Sequence, residues 1–252
     1  MDNAQLPASD EPELPEVLGD TAKQSAALES LASAVNYNNW LTSLAVPHLG
    51  DSPIELGSGL GDYAQAWLDA GVPRITTSEA DPYRLAQLRR RFADDERVDV
   101  AAFDVLSPQP SDHSALVAFN VLEHIRDHVG ALRGAHTLLR PGGKVVMFVP
   151  AFEFAMSRFD RQVGHLRRYT VSSMRTAMTE AGLQIVENRY VNIPGLPAWF
   201  VGMRLLRMSP GDGPLLSVWD KRVVPLARRF EAKRHAPFGQ SVFAVGRVPA
   251  AN

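Results

Sequence analysis

A glycine-rich stretch at residues 54–63 constrains the fold of this 252-residue chain more than any other segment. It reads Ile-Glu-Leu-Gly-Ser-Gly-Leu-Gly-Asp-Tyr, with glycines at 57, 59 and 61. The apolar, β-prone entry runs into glycines that let the backbone turn sharply and approach a ligand closely. We expect a strand over about 53–57 and a helix from about Asp62, an arrangement that binds nucleotides in α/β proteins.

The spacing of these glycines narrows the kind of nucleotide site. It is G-x-G-x-G, not the G-x-G-x-x-G of dinucleotide-binding enzymes, and Glu55 stands two residues before the first glycine. No Gly-Lys-Ser/Thr follows, so the stretch is not a phosphate-binding P-loop. Taken alone, the stretch is also compatible with a simple tight turn.

Strands and helices alternate along the rest of the core. Further strands are expected at 74–78, 98–103, 115–119, 144–149, 183–191 and 241–248, and helices at 62–70, from 82, 128–139 and 170–181. A helix over 21–46, ended by Pro47 and Gly50, precedes them. The alternation predicts a mostly parallel sheet with helices on both faces and a site beyond the C-terminal strand ends.

Two segments fall outside this core. Residues 1–20 carry six acids and no basic residue, which predicts a disordered acidic tail ahead of a single domain at 21–252. Residues 193–240 form an insertion between the last two strands, longer than a usual connection. We expect it to be helical over Leu215–Lys233, interrupted by Pro225, and to carry an apolar patch that includes Trp199.

Composition excludes several classes of protein. The absence of cysteine excludes disulfides, thiol catalysis and cysteine-ligated metal clusters. The net charge is −2, which gives no overall sign of nucleic-acid binding, but residues 151–252 hold 15 Lys and Arg against 7 Asp and Glu. This basic part suits an anionic acceptor or a membrane surface, with solvated helix faces as the alternative.

The chain has no apolar run of about 18 residues and no signal-peptide pattern at its N-terminus. We therefore expect a cytoplasmic protein without stable membrane insertion. Lipid attachment through the insertion is disfavoured, because prolines at 194, 197, 210, 214 and 225 break any long amphipathic helix.

Five motifs, in order, resemble those of class I S-adenosylmethionine (SAM) dependent methyltransferases: Glu55–Gly61, Glu79, Asp104, Asn120–Ile125 and Leu139–Lys144. The resemblance implies a Rossmann-like seven-stranded sheet of order 3-2-1-4-5-7-6 with strand 7 antiparallel. Three more motifs resemble a bacterial methyltransferase subfamily: NYNxW at 36–40, GHxRRY at 164–169 after Asp160, and PxGQS at 237–241.

The resemblance also implies a site for SAM at the strand ends. The glycine loop should pass beneath the amino-acid end and ribose, Glu79 should accept from the ribose hydroxyls, and Asp104 from the adenine amino group. The residues expected to bind the cofactor are Tyr37, Glu55, Gly57, Ser58, Gly59, Gly61, Glu79, Ala80, Asp104, Val105, Asn120 and Leu122. Several of these residues also have a structural alternative: a tight turn for the glycines, a brace of the loop for Glu55 and a helix cap for Glu79. Core packing is the alternative for the nearby Trp40.

The acceptor site is expected after strand 5. His165 can take a proton near neutral pH and is the first candidate base, with His124 the second. Arg168 can clamp a carboxylate or phosphate in a bidentate manner. Asp160, Tyr169 and Trp199 complete the residues expected to contact the acceptor. The alternative is a structural Asp–His–Arg network that fixes the loop.

A metal is not expected. In ubiquinone-pathway O-methyltransferases a similar E-x-x-E-H stretch binds a divalent ion that holds the acceptor oxygen. Here Asn120 replaces the first acid, and an amide is a weaker ligand for a hard cation than a carboxylate.

The sequence thus predicts a SAM-dependent methyltransferase of a small molecule, acting on a hydroxyl or carboxylate oxygen. An N-methyltransferase and a non-catalytic SAM-binding protein remain open alternatives. We expect a monomer or homodimer with no nucleic-acid partner. The insertion should form a helical cap over the acceptor site, with a dimer contact as the alternative.

Overall fold

A seven-stranded mixed sheet organises the chain. The structure is a computed structural model that describes residues 16–208, 214–233 and 236–250. The strand order is β3-β2-β1-β4-β5-β7-β6, and β7 runs antiparallel to both neighbours, which confirms the predicted topology. The strands are β1 (Ile54–Leu56), β2 (Ile75–Ser78), β3 (Val98–Ala101), β4 (His113–Phe119), β5 (Leu139–Pro150), β6 (Gln184–Val191) and β7 (Ser241–Arg247).

Helices cover both faces of the sheet. They are α1 (Thr21–Ala32), α2 (Val35–Leu49), α3 (Asp62–Asp69), α4 (Pro82–Arg91), α5 (His128–Leu138), α6 (Arg158–Gln162), α7 (Val171–Glu180), α8 (Gly195–Trp199), α9 (Pro214–Val218) and α10 (Val224–Glu231). None of the helices in these described residues is long and apolar enough to cross a membrane.

The central strands alternate between two hydrophobic cores. Leu116 and Ala118 of β4 point into the core shared with α5 and α7. Val117 and Phe119 point into the opposite core, which contains residues of α2, α3, α4 and α10. Because successive side chains of a strand face opposite sides, a strand buried on both faces reads as a continuous apolar run.

The parallel register brings the chemically important loops to one edge. Leu56 pairs with Ser78, so β1 and β2 end side by side. Phe119 pairs with Phe148, so β4 ends beside β5. The residues that follow these strands therefore share the C-terminal edge of the sheet, where sites of open α/β sheets form.

The prediction of a single helix over 21–46 was wrong, because the segment forms the two helices α1 and α2. Ala34 has a non-helical backbone that separates α1 from α2, and Pro47 lies inside α2, which ends at Gly50. The carboxylate of Asp220 accepts from the backbone N–H groups of Asn36 (3.0 Å) and Tyr37 (2.8 Å). Free N–H groups at a helix start need such an acceptor, and here it comes from a distant segment.

The insertion is helical, but Pro225 does not interrupt it. Helices α9 and α10 are joined by a π-helical turn, Trp219–Val223, and Pro225 lies in the first turn of α10. Proline is tolerated there because the first-turn N–H groups have no helical acceptor. The carboxylate of Glu231 accepts from the N–H groups of Asn192 and Ile193, at 2.9 and 2.8 Å, which fixes the end of α10 to the end of β6.

The predicted acidic tail at residues 1–20 lies largely outside the described residues. Its described end lies against the loop after α6: the N–H of Asp20 donates to the carbonyl of Gln162 at 2.8 Å. The side-chain amide of Gln24 donates to the carbonyls of Leu18 and Val163, at 2.8 and 2.7 Å. The chain just before α1 is therefore held on this loop.

Replacing Asp220 should destabilise the fold. Asp220→Ala removes a buried carboxylate that two backbone N–H groups use, so the free energy of unfolding should fall by about 2–3 kcal/mol. Urea denaturation measures this, with the exposed Asp94→Ala as the matched control, expected within about 0.5 kcal/mol of wild type. Equal stability of Asp220→Ala and the control would contradict this cap.

Candidate active site

The loop after β1 adopts backbone conformations that favour glycine. Gly57 and Gly61 have φ angles of 67° and 85°, in the left-handed region. A Cβ atom on Gly57 would lie 2.6 Å from Val121, and one on Gly61 would lie 2.6 Å from Phe92. Both the conformation and the close packing therefore account for glycine at these positions.

Hydrogen bonds tie this loop to the end of β2. The N–H of Ser58 donates to the carbonyl of Ser78 at 2.7 Å, and Ser58 Oγ accepts from the N–H of Ser78 at 3.1 Å. Glu79 accepts from the N–H groups of Gly59 and Asp81, each at 2.9 Å. The residue predicted to bind ribose thus also sets the shape of the glycine loop.

Arg84 extends this connection to α1. Its guanidinium lies 3.2 Å from Glu79 Oε1 and donates to Gln24 Oε1 at 3.2 Å. Leu28 of α1 lies over the loop, because a Cβ atom on Gly59 would come 3.0 Å from Leu28 Cδ1. Helix α1 therefore covers the glycine loop. Sequence reasoning missed Arg84, although its place in the first helical turn after Glu79 was an available signal.

Glu55 supplies a buried carboxylate beside the loop. It is 2% exposed, and its Oε2 atom has no hydrogen-bond partner. Burial raises the pKa of Glu55 to about 8, against a lowering contribution from Ser58. Burial makes this acid costly to ionise, and a cationic amine of a ligand would offset that cost. This fits the amino group expected of SAM.

The remaining predicted cofactor residues lie at or behind the same edge. Asp104 follows β3 and is half-buried. Its carboxylate accepts from the N–H of Leu106 at 2.9 Å. Asn120 follows β4 with an exposed side chain and a φ of 54°. Val105 and Leu122 are buried in one core, whereas Ala80 is half-buried.

Tyr37 lies near the end of β6 and the start of β7. Burial raises its pKa to about 12, and the side chains of Asn192 and Ser241 hydrogen-bond with its hydroxyl. These two residues follow β6 and begin β7. Tyr37 is therefore placed beside the strands next to β5, away from the contacts that Glu79 makes with the glycine loop.

A second cluster of polar side chains is centred on Asp160. Its side chain is fully buried: Oδ1 lies 2.8 Å from His165 Nδ1 and 2.7 Å from the guanidinium of Arg168, and Oδ2 accepts from Ser157. Burial raises the pKa of Asp160, but His165, Arg168 and Ser157 together outweigh it and hold the pKa well below its ordinary value. The carboxylate is thus held in its charged form.

Arg168 is occupied by protein groups. It donates to the carbonyl of Ala151 at 3.0 Å as well as to Asp160, and its guanidinium lies 5.0 Å from the ring centroid of Trp199. Trp199 in turn donates to the carbonyl of Ala155 at 3.2 Å. These contacts favour the structural network over a direct clamp on the acceptor.

Tyr169 is also engaged within the protein. It is 2% exposed, and its hydroxyl lies 3.1 Å from Nδ1 of His128. Burial raises the pKa of Tyr169, so the hydroxyl stays protonated. The environment of Tyr169 therefore favours a supporting role behind the site.

His165, His124 and Glu123 face one another. The rings of His124 and His165 stack edge to face at 4.7 Å, and His165 Nε2 lies 3.8 Å from Glu123 Oε1. Burial raises the pKa of the fully buried Glu123 to about 7, and burial lowers the pKa of His124 to about 3. The charge of Arg84 adds to the lowering at His124, so the two clusters adjoin.

The same three residues could hold a divalent ion. One ligand atom from each of Glu123, His124 and His165 lies within 4.8 Å of the others. Both oxygens of Glu123 lack hydrogen-bond partners, and Asp160 orients the far nitrogen of His165 as second-shell carboxylates do. The predicted absence of a metal, which rested on Asn120, thus remains a prediction that chelation can test.

A cleft of about 250 Å³ opens beside this cluster. It is lined by residues of α1, α6 and the insertion: Lys23, Arg158, Phe159, Gln162, Met203, Arg207 and Met208. Helix α6 carries Asp160 on its buried side. The insertion therefore lines this cleft together with α1 and α6, and a cap over an acceptor site stays a prediction.

Part of the chain is similar to known proteins. Residues 54–145 match the family model described as a methyltransferase domain. An uncharacterised 37.1 kDa protein in transposon Tn4556 of Streptomyces fradiae is 30% identical over 132 residues, which are 50% of this chain and 38% of that protein. The ubiquinone biosynthesis O-methyltransferase of Pseudomonas aeruginosa is 29% identical over 113 residues, 43% and 48% of the two chains. The chain thus spans less than half the length of these relatives.

Solved structures share the fold. A complex of the Haloferax volcanii Trm112 methyltransferase activator with a putative methyltransferase gives a TM-score of 0.59 at 16% identity, covering 91% and 95% of the two chains. The [4+2]-cyclase SpnF gives 0.58 at 18% identity, covering 96% and 100%. The N-methyltransferase NodS of Bradyrhizobium japonicum, with S-adenosylhomocysteine, gives 0.52 at 17% identity, covering 85% of each. The solved structures thus share the fold of this chain, and the methyltransferase family model matches residues 54–145, less than half of its length.

The pKa of Glu123 predicts a pH-dependent contribution to stability. Between its ordinary value of 4.5 and about 7, the folded state keeps a proton that the unfolded state has lost, so this group lowers stability as pH rises through that window. The free energy of unfolding of Glu123→Gln, relative to wild type, should therefore rise by about 2 kcal/mol across the window and stay level above it.

Urea denaturation at a series of pH values measures this difference. The exposed Glu96→Gln is the control, and its difference from wild type should stay flat over the same range. Parallel pH profiles for wild type and Glu123→Gln would show that the burial of this carboxyl does not hold its proton.

Proposed function

We propose that the protein is a SAM-dependent methyltransferase that transfers the methyl group to an oxygen of a small-molecule acceptor. The observation that carries the proposal is the pair of carboxylates at neighbouring strand ends. Glu55 offers an unpartnered buried oxygen for an amine, and Glu79 stands at the end of β2 beside the glycine loop. The methyltransferase domain match and relatives solved with SAM or S-adenosylhomocysteine support this cofactor.

Bound SAM supplies a methyl group on a sulfonium, which is a good leaving group. The protein then has to position the acceptor and exclude water, which is the main contribution expected of it. Helix α1 covers the glycine loop through Leu28, and the insertion borders the acceptor side through Trp199. Both segments are thus suited to enclosing the reactants.

His165 is the proposed general base. The 2.8 Å contact of its Nδ1 atom with Asp160 orients the ring, as a carboxylate does for a catalytic histidine. Its Nε2 atom faces Glu123 and His124, and its side chain is 12% exposed, so the ring is held with little access to bulk water. An acceptor hydroxyl could lose its proton to Nε2, whereas a neutral amine would need little help from a base.

The acceptor atom is proposed as oxygen partly because one relative is named an O-methyltransferase, whereas NodS is named an N-methyltransferase. The cyclase among the neighbours shows that the fold alone does not decide the reaction. Radiolabelled SAM incubated with panels of phenols, hydroxy acids and primary amines separates these outcomes. Labelled amines alone would favour N-methylation, and no labelled product with bound SAM would favour a non-catalytic binder.

The cofactor site predicts the effect of Glu79→Ala. Loss of hydrogen bonds to a charged group should weaken SAM binding by about 1.5–3 kcal/mol. Isothermal titration measures the affinity, with the exposed Glu96→Ala as the matched control that should bind as wild type does. Unchanged affinity in Glu79→Ala would refute the assignment of Glu79 to the ribose.

The proposed base predicts the effect of His165→Asn. With an acceptor identified by the panel, kcat should fall by roughly 10²–10⁴-fold, the usual contribution of a general base. The affinity for SAM should stay near that of wild type, because the contacts of His165 lie in the second cluster. A wild-type kcat in His165→Asn would exclude this histidine as the base.

Chelation distinguishes two roles for His165: a general base that needs no metal, and a ligand of a metal ion. If His165 acts as a base without a metal, turnover should survive EDTA after the purified protein has been dialysed against it. Loss of turnover under EDTA, restored by a divalent ion, would instead assign Glu123, His124 and His165 as ligands.

A further inference from the structure

The outer face of the C-terminal insertion is both apolar and basic. Leu215, Val218 and Leu226 are 76%, 59% and 67% exposed. Arg222 and Arg229 are exposed between and beside them. We call these five residues the outer stripe. They recur at helical spacing along α9, the π-helical turn and α10.

The opposite face of the same helical segment is the one that packs on the protein. Asp220, Val224, Ala227 and Glu231 are buried there at spacings of three and four residues. Asp220 binds the start of α2, and Glu231 binds the chain after β6. Because these anchors fix the rotation of the segment, the outer stripe is held facing away from the sheet.

In the described part of the insertion, the exposed charged residues all have the same sign. In the described residues 201–208 and 214–233, every exposed charged side chain is basic: Arg204, Arg207, Lys221, Arg222, Arg228, Arg229 and Lys233. The acids within those ranges, Asp220 and Glu231, are buried and bound to backbone N–H groups. One further acid, Asp212, lies in the stretch 209–213 outside the described residues.

More apolar side chains are exposed at the described residues ahead of the stretch 209–213. Val201, Leu205, Leu206 and Met208 are between 45% and 66% exposed, before the undescribed stretch. Soluble surfaces do carry single exposed apolar residues, but an apolar cluster interspersed with basic side chains marks an interaction site. The prolines that disfavoured lipid attachment do not prevent it, because the helical segment continues past Pro225.

We propose that the outer stripe docks the protein peripherally on an anionic lipid surface. Leucine and valine side chains can enter the boundary between headgroups and acyl chains, while arginine and lysine bind acidic headgroups. Charge complementarity selects this occupant over a second copy of the chain, because a two-fold contact would bring two positive surfaces together. The proposal stands independently of the methyl-transfer reaction.

Vesicle flotation tests the proposal with the 252-residue chain. Wild type should float with vesicles of equal parts phosphatidylglycerol and phosphatidylcholine, stay in solution with phosphatidylcholine alone, and bind less as salt is raised. Leu215→Glu/Leu226→Glu and Arg222→Glu/Arg229→Glu should each reduce partitioning by at least about tenfold.

Matched controls on α4 keep the test specific. Tyr83→Glu and Arg90→Glu change exposed residues of the same two kinds and should partition as wild type does. Circular dichroism verifies that each variant is folded. No flotation of wild type with anionic vesicles at low salt would overturn the proposal, as would equal binding to both lipid compositions.

Sedimentation distinguishes a protein interface from a lipid one. Dimers of wild type that dissociate in Leu215→Glu/Leu226→Glu, without any flotation, would overturn the proposal in favour of a contact between copies. An unchanged monomer that floats only with anionic vesicles supports it.

Discussion

The hydrogen bonds and ion pair of the Glu79 carboxylate are the contacts on which the glycine loop, the proposed cofactor site, depends. The carboxylate accepts from Gly59 in the glycine loop and from Asp81 at the start of α4, and it pairs with Arg84. Arg84 then binds Gln24 of α1. One buried acid thus links the first two strand ends, a helix start and the segment that covers the loop. A loop of left-handed glycines has little order of its own, so such a fixed acceptor is needed to hold its shape.

The proposed acceptor side is built on a second buried acid. Asp160 fixes His165 on one side and Arg168 on the other, and Arg168 supports Trp199 of the insertion. The insertion is itself anchored by Asp220 at α2 and by Glu231 at the chain after β6. Buried charges carry large desolvation costs unless they are paired, so these acids define where each segment can sit. The proposed enclosure of the site depends on this set of pairs.

The fold could be predicted because its signals are local. Buried strands read as apolar runs, and Asp81 before Pro82 marks a helix start that the structure shows with an Arg84 N–H bound at 2.9 Å. The order of the strands came from the resemblance of the motifs to a family, since a sequence pattern alone does not give strand order.

The missed features depend on distant partners. The break between α1 and α2 needs Asp220, which lies 184 residues from Asn36. The cover formed by α1 needs Leu28 to meet Gly59, and no periodicity in either segment indicates that contact. Arg168 has the chemistry of an anion clamp, and its pairing with Asp160 at 2.7 Å is a contact that the sequence pattern alone does not give.

The thermal stability of the wild-type protein with different ligands tests the central claim most directly. A ligand that binds the folded but not the unfolded state raises the melting temperature, and the rise grows with the logarithm of the ratio of free ligand to its dissociation constant once that ratio is large. The account predicts that saturating SAM and S-adenosylhomocysteine each raise the melting temperature, while NAD leaves it unchanged. A rise with NAD and none with SAM would contradict the assignment of the glycine loop, Glu55 and Glu79 to a methyl-donor site.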